Sequence, residues 1–272
     1  MKKGHKQRQT LVDRVRQNFK DNRVCRVAFD AMENDDELQM ILEDANRMAI
    51  DRMGYSDHGH IHSLIVVKNA MQLLKALGKH LKPTIVQEET GTYGDAQLIV
   101  MMASYLHDIG MSVHRDEHHV FSVALATPII TRVLKKAYPN ETRKQAHIRG
   151  HILHAMYSHE KFIEPTTIEA GIVGIADALD MTKGRARIPF EAGSVNIHSA
   201  SAMSIERVRI KSGKKKAVRI EVEMNNASGI FQIQELLEMK IRSAEKLLPY
   251  IELVATLAEK EETIIGEQLQ IL

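Results

Sequence analysis

The pair His107-Asp108 constrains this chain more than any other feature, because it follows a predicted helix that is almost entirely apolar. An aspartate buried there without a partner would lose several kcal/mol of favourable hydration. A bound divalent cation would supply the compensating charge. An isolated His-Asp pair can also be a helix cap or a surface pair, so further residues have to decide between these interpretations.

Two more histidines occupy positions at which a core residue is expected. His62 begins a predicted helix whose apolar residues recur every three or four positions as far as Leu77, and this period indicates a buried stripe. His159 continues a second stripe of the same kind, which includes Ile148 and Ala155. Both imidazoles are therefore expected to point toward the core.

A second carboxylate interrupts the most apolar segment of the chain. Residues 168–179 are hydrophobic on nearly all sides, and Asp177 lies on the face that carries the small residues Ala170 and Gly174. A single buried histidine is usually a satisfied core residue. Several imidazoles together with two inward-pointing carboxylates are better explained by one metal centre.

These residues form a known signature. His62, His107-Asp108 and Asp177 make up the pattern H…HD…D, by which the chain resembles the HD-domain metal-dependent phosphohydrolases over roughly residues 55–190. The runs 57–62 and 107–115 are most similar to an uncharacterised group of prokaryotic HD proteins. The wider ligand pattern is similar to that of bacterial HD hydrolases that cleave dinucleoside polyphosphates.

The resemblance implies a ligand set for two divalent metal ions. The first ion would be held by His62, His107, Asp108 and Asp177. Asp108 would bridge to a second ion, which His118 and His159 would also hold, as in the binuclear members of the family. These imidazole and carboxylate donors suit Mn, Fe, Zn, Ni or Mg, and ligand type does not choose among those metals.

The chemistry that the resemblance implies is hydrolysis of a phosphoester or phosphoanhydride by a metal-bridged hydroxide. The expected substrate is a phosphorylated small molecule of the nucleotide class, whether a dinucleoside polyphosphate, a 5′-nucleotide or a cyclic dinucleotide. Asp108 and His58 are predicted catalytic side chains. His58 would orient phosphate or another ligand in the outer part of the site, and a structural cap is the equal alternative for it. Cations are expected to contact the phosphate. The candidate phosphate contacts are Arg115, Lys183, Arg185 and Arg187. Met111 stands where HD members commonly have lysine, which removes one possible contact.

Several alternatives stay open. His119 can replace His118, because a shift of one residue turns a side chain by about 100° on a helix. His154 can replace His159, and Asp180 is expected to bind an arginine or a helix end rather than a metal. At the level of function, a nucleotide-sensing HD protein without turnover and a purely structural metal site are the alternatives to an enzyme.

The pattern predicts a mainly α protein, an HD-type helical bundle followed by a small α+β unit. Residues 1–35 form a basic segment, disordered in part or folded as a short leading helix; residues 36–190 form the bundle with the metal site; residues 191–272 form the α+β domain. Helices are predicted over 36–53, 62–78, 95–108, 117–137 and 141–159. Asp95 is the predicted cap that ends a loop over 83–94.

After Pro189 the hydrophobic period changes to two. Residues 218–224 therefore predict a half-buried strand, with 205–211 as its partner and 250–257 as a third strand. A helix is predicted over 231–247, in which Lys240 lies on the buried side with its ammonium group carried out to solvent. The small residues 195–204 could pack across a homodimer interface.

Composition excludes several classes of partner. The formal net charge is only +2, so no global field favours nucleic acid or an anionic membrane. No window is long and apolar enough for a transmembrane helix, and no apolar stretch follows the basic N-terminus as in a signal peptide. Cys25 is the only cysteine, so no intrachain disulfide can form and a cytoplasmic location is expected.

Overall fold

The structure is a computed structural model that describes residues 2–182, 201–257 and 268–270. It confirms the mainly α fold with a small C-terminal α+β unit. The helices are α1 (Lys2–Gln17), α2 (Arg23–Glu33), α3 (Asp36–Arg47), α4 (His60–Leu77), α5 (Thr84–Gln87), α6 (Tyr93–Leu106), α7 (His118–Ala137), α8 (Thr142–Tyr157), α9 (Ile168–Ala178), α10 (Gly229–Gln232) and α11 (Met239–Ser243). The strands are β1 (Ile205–Ser212), β2 (Val218–Met224), β3 (Ile251–Leu257) and β4 (Gln268–Gln270).

The N-terminal residues are more ordered than their basic composition indicated. Instead of a partly disordered segment or one short helix, they form α1 and α2, whose apolar residues belong to the main core. In α2 the buried side chains are Cys25, Ala28, Phe29 and Met32, which follow the three- and four-residue spacing of an amphipathic helix. The domain boundaries at residues 35 and 190 remain predictions.

Helix α6 is the centre of the bundle. Its side chains from Leu98 to Leu106 are all buried, and it contacts α2, α4, α8 and α9. A helix that is apolar on all sides has to be covered on all sides. Its C-terminal end therefore lies in the protein interior, and His107 and Asp108, which follow it, are buried in the core.

The start of α6 corrects one predicted cap. Thr92, not Asp95, is the N-cap residue: its hydroxyl accepts a hydrogen bond from the Asp95 amide at 3.2 Å. The Asp95 carboxylate in turn accepts one from the Thr92 amide at 2.7 Å, so the two residues form a capping box. The predicted loop over 83–94 also contains the short helix α5, and α3 ends in a π-helical turn, Met48–Arg52, rather than as regular helix to residue 53.

The C-terminal unit contains one described sheet with the strand order β1-β2-β3-β4. β1 and β2 are antiparallel, β2 and β3 are parallel, and β3 and β4 are antiparallel. The sheet contacts α4, while the helical connection between β2 and β3 contacts α9. The helix predicted over 231–247 is interrupted, because a π-helical segment, Ile233–Glu238, separates α10 from α11. None of the described helices is long and apolar enough to cross a lipid bilayer.

Gly110 fixes the approach of α7 to the end of α6. A methyl group at this position would overlap the backbone carbonyl oxygen of His118 and the backbone nitrogen of Ser122. The Gly110 amide also donates a hydrogen bond to the Ser122 hydroxyl at 2.8 Å. Only glycine permits this contact, and the contact sets the position of the first turn of α7.

We expect Gly110→Ala to lower the free energy of unfolding by about 3 kcal/mol, because two backbone segments would have to separate. Gly150→Ala is the matched control, since a methyl group there meets no atom within 4 Å. That control should stabilise helix α8 by about 0.5–1 kcal/mol. Urea denaturation of both variants measures the difference, and equal stabilities would contradict the close packing at Gly110.

Candidate metal centre

Three helices bring four potential ligands to one point in the bundle. His62 lies in the first turn of α4, His107 and Asp108 follow the last turn of α6, and Asp177 lies in the last turn of α9. One donor atom from each of these residues lies within 4.8 Å of the others. The side chains of both histidines are fully buried, and that of Asp177 is 19% exposed. The described site is therefore closed toward the core and open on the Asp177 side.

A second group of donors shares Asp108. His118, the first residue of α7, and His159, just beyond α8, form this group with the same carboxylate. The Asp108 Oδ2 atom lies 3.3 Å from the Nε2 atoms of both His62 and His107. The Asp108 Oδ1 atom lies 3.3 Å from His118 Nε2 and 3.4 Å from His159 Nε2. Each carboxylate oxygen thus faces its own pair of imidazoles.

The backbone fixes how three of the four imidazoles present their nitrogens. The Nδ1 atom of His107 lies 2.9 Å from the Ser104 carbonyl oxygen, and that of His118 lies 2.9 Å from the Arg115 carbonyl oxygen. His159 makes the same contact with the Met156 carbonyl oxygen. A carbonyl oxygen can only accept a hydrogen bond, so Nδ1 carries the proton. In the neutral ring, Nε2 then has a free lone pair.

The Nε2 atoms meet in a way that needs a cation. His62 Nε2 and His107 Nε2 are 3.2 Å apart, and His118 Nε2 and His159 Nε2 are 3.0 Å apart. Two nitrogens that both present lone pairs cannot hydrogen-bond to each other, so each pair needs a cation: either a proton on one ring, as the raised pKa of His107 allows, or a metal ion. A divalent metal placed among them would satisfy both lone pairs and the adjacent carboxylate, so the donor set fits a metal ion.

The electrostatics of the cluster point the same way. Burial raises the pKa of Asp108 and of Asp177, but the neighbouring imidazoles, His107 first, lower both well below the usual range. Burial also lowers the pKa of His107, yet the Asp108 and Asp177 carboxylates raise it to about 9. For His159, burial dominates and lowers the pKa to about 4. The carboxylates thus stay ionised in the core and attract positive charge.

The alternative histidines lie elsewhere or at the edge of the centre. His154 is bonded to Thr166 and Ser158, at 3.0 Å and 3.2 Å, and belongs to none of the potential ligand groups found among the described residues. His119 can form a group only with His118 and Glu160.

His147 and His151, which lie on the same helix as His154, are separate from the centre. They form a group with Glu88 on the outer part of α8.

The predicted catalytic residues outside the ligand set have different surroundings. His58 is buried, and its ring centroid lies 5.6 Å from that of His62. The guanidinium group of Arg115 lies over the ring of Tyr55 at 5.6 Å and interacts electrostatically with His118. Arg185 lies outside the described residues, as do Lys183 and Arg187.

Asp180 has a role that the sequence did not indicate. Its Oδ2 atom accepts a hydrogen bond from His62 Nδ1 at 2.7 Å. The sequence had led us to expect an arginine or a helix end as the partner of Asp180. The observed contact gives His62 the same tautomer as the three imidazoles held by carbonyl oxygens. A carboxylate behind a ligating histidine also makes the imidazole a stronger donor to metal.

We expect Asp180→Ala to weaken metal affinity by about 10–100-fold, the usual loss when such a supporting group is removed. Competition with a chromophoric chelator measures the dissociation constant. Asp116→Ala is the control, because its exposed carboxylate is 86% accessible and faces only His114. An unchanged affinity in Asp180→Ala would show that His62 does not need this support.

Lys240 and Glu160 also border the centre, and neither was predicted to do so. The Glu160 carboxylate lies 3.8 Å from His118 Nε2. Lys240 was expected to extend to solvent, but its side chain is buried, with 7% of the residue exposed. It interacts electrostatically with Asp177, Glu160 and Asp108. The reason for the difference is that α11 packs against α9, the helix that carries Asp177.

Comparison with known proteins agrees with this site. A helical bundle in which histidines and aspartates from several helices meet at a site that could hold a metal ion is what the HD class has. The chain matches the family model described as HD domain over residues 59–182. It is 43% identical over 245 residues to the uncharacterized protein MJ1020 of Methanocaldococcus jannaschii, a match that covers 90% of this chain and 93% of that protein. No solved structure matches the chain. The chain belongs to the HD-domain metal-dependent phosphohydrolase superfamily.

Proposed function

We propose that this protein is a metal-dependent phosphohydrolase that cleaves a phosphoester or phosphoanhydride, with a nucleotide as the substrate class. The observation that carries the proposal is the position of Asp108, whose two oxygens face two separate pairs of imidazoles. This arrangement supports two metal ions that share one carboxylate. A structural metal site needs only four ligands, and the cluster offers six.

In the proposed mechanism, His62, His107, Asp108 and Asp177 would hold one ion, and His118 and His159 would hold a second together with Asp108. Bound divalent ions lower the pKa of water and supply a nucleophile at neutral pH.

The other groups of the site bind and orient the substrate. Arg115 is close enough to His118 to interact with it electrostatically, and we assign its guanidinium group to a phosphate oxygen. We assign His58, buried beside His62, to the outer part of the site, where it orients the substrate. Arg185 remains a further proposed phosphate contact. A cytoplasmic location and a homodimer through residues 195–204 belong to the same proposal, although residues 195–200 lie outside the part of the chain that the structure describes.

The test combines metal analysis with an activity panel. Metal content of the purified full-length protein is measured by plasma mass spectrometry, before and after reconstitution with Mn or Fe. The same samples are assayed with bis-nitrophenyl phosphate, dinucleoside polyphosphates, 5′-nucleotides and cyclic dinucleotides. We expect about two equivalents of metal and turnover of at least one substrate. Metal without turnover would favour a nucleotide sensor or a structural site, and absence of metal after reconstitution would overturn the proposal.

A further inference from the structure

Lys240 is a largely buried cation, and no hydrogen-bonding partner for its ammonium group is found among the described residues. Only 7% of the residue is exposed, and among the described residues its ammonium group makes no hydrogen bond and no ion pair. Burial lowers the pKa of Lys240, and this effect exceeds the opposite effect of Asp177, Glu160 and Asp108. Partial burial of an ammonium group without a hydrogen-bonding partner is unfavourable, and the described contacts do not show why a lysine stands here.

The stem of Lys240 lies beside Gly174 of α9, next to the metal centre. Gly174 lies one turn before Asp177, and a methyl group at Gly174 would be 3.9 Å from the Lys240 Cδ atom and 3.8 Å from the His159 Cα atom. Both are ordinary van der Waals distances, so the lysine stem lies against α9, close to the segment that carries His159. Gly171, on the same helix, packs against Ala244 of the C-terminal unit. A methyl group built at Gly171 would lie 3.1 Å from the Ala244 Cβ atom, so the two segments are in close contact there.

Charge balance shows what Lys240 is suited to bind. Asp108, Asp177 and Glu160 bring three negative charges to its surroundings. Two divalent ions in the proposed site would more than neutralise these carboxylates, so Lys240 would stand beside a centre that is already positive. A cation next to such a centre would be stabilised by an additional anion, and a phosphoryl group is the anion that the proposed reaction brings.

We propose that Lys240 is a phosphate-binding residue of the active centre, so that the C-terminal α+β unit completes the substrate site of the helical bundle. This inference rests on the proposed function and adds a group to it from outside residues 59–182, the part matched by the HD family model. Lys240 would donate to a phosphoryl oxygen from the α11 side. The bundle would then be unable to bind its substrate fully without the C-terminal unit.

Calorimetric titration with inorganic phosphate tests the inference on metal-loaded, full-length protein. Lys240→Met keeps the length of the side chain and removes the charge. We expect its phosphate dissociation constant to rise by about 10–100-fold, which corresponds to the loss of one charge-assisted hydrogen bond, while metal content stays unchanged. Lys240→Arg should retain most of the binding. Lys240→Gln gives the same comparison if the methionine variant does not fold.

Lys246→Met is the matched control, because Lys246 lies in the same unit and donates to the Thr166 carbonyl oxygen at the surface. It should bind phosphate as the wild type does. Melting temperature without phosphate provides a second readout: Lys240→Met should be as stable as the wild type or more so, since a buried unpaired charge is removed. A structural lysine would instead give a less stable variant.

The possible outcomes separate this inference from the proposed function. Equal phosphate affinity in Lys240→Met and wild type, or loss of metal in the variant, would overturn the inference. Phosphate binding that depends on Lys240 without hydrolysis of any substrate would overturn the proposed turnover and support the lysine as an anion contact. Metal-loaded wild type that binds no phosphate would overturn both.

Discussion

Asp108→Ala is expected to abolish turnover and to reduce metal content from about two equivalents to less than one. Both predicted ligand groups depend on this side chain, because each of its oxygens faces one pair of imidazoles within 3.4 Å. Removal of a group that only supports a ligand already weakens metal binding or activity by about 10–100-fold. Loss of a ligand shared by two ions should therefore lower kcat/KM by about 1000-fold or more.

Asp108→Asn and Asp116→Ala complete this experiment. The asparagine keeps the volume of the side chain and removes the charge that offsets the dications, so it should also lose metal and activity. Asp116→Ala removes an exposed carboxylate outside the cluster and should keep both metal content and turnover at the wild-type level. A fully active Asp108→Ala variant with unchanged metal content would contradict the proposed centre.

The same experiment separates loss of chemistry from loss of fold. Asp108 is buried among imidazoles whose charges it offsets, so its removal could also change stability. Circular dichroism and the melting temperature of metal-free wild type and variant should therefore be compared. An Asp108→Ala variant that is folded and inactive supports the role of Asp108 as a metal ligand. A variant that is folded and active contradicts that role.

The sequence predicts the centre of this site because its residues break a strict local pattern. His62 and Asp177 stand on apolar helical stripes, and a three- to four-residue period is enough to show that they point inward. The same period indicated that His159 is buried, although it lies just beyond the end of α8. Helix α6 is apolar on every side, so its C-terminal end could be assigned to the interior. These features depend on the periodicity within single helices, and this periodicity can be seen in a short stretch of sequence.

The parts that were missed depend on contacts between distant segments. Asp180 meets His62 across 118 positions in the chain, and no local pattern indicates that pair. Lys240 lies on a buried face that the period identified, but the direction of its ammonium group follows from the packing of α11 on α9. The interruption of this helical connection at Ile233–Glu238 was also missed, since the sequence there contains good helix formers throughout.

His159→Ala is expected to remove one metal ion and to leave the other. His159 faces Asp108 Oδ1 and belongs to the group of His118, whereas His62, His107 and Asp177 surround the opposite oxygen. The variant should therefore contain about one equivalent of metal where the wild type contains about two. Turnover should fall by about 1000-fold, because a two-metal centre uses both ions to stabilise the attacking and leaving oxygens.

His154→Ala is the decisive comparison, because His154 precedes His159 by five residues and was the alternative ligand that the sequence allowed. In the structure it is bonded to Thr166 and Ser158 instead, so its removal should leave metal content and turnover unchanged. Plasma mass spectrometry and the substrate panel applied to both variants distinguish the two assignments. If His154→Ala loses an ion and His159→Ala does not, the second site is assigned wrongly. If His159→Ala loses both ions, the two groups form a single site in which Asp108 does not act as a bridge.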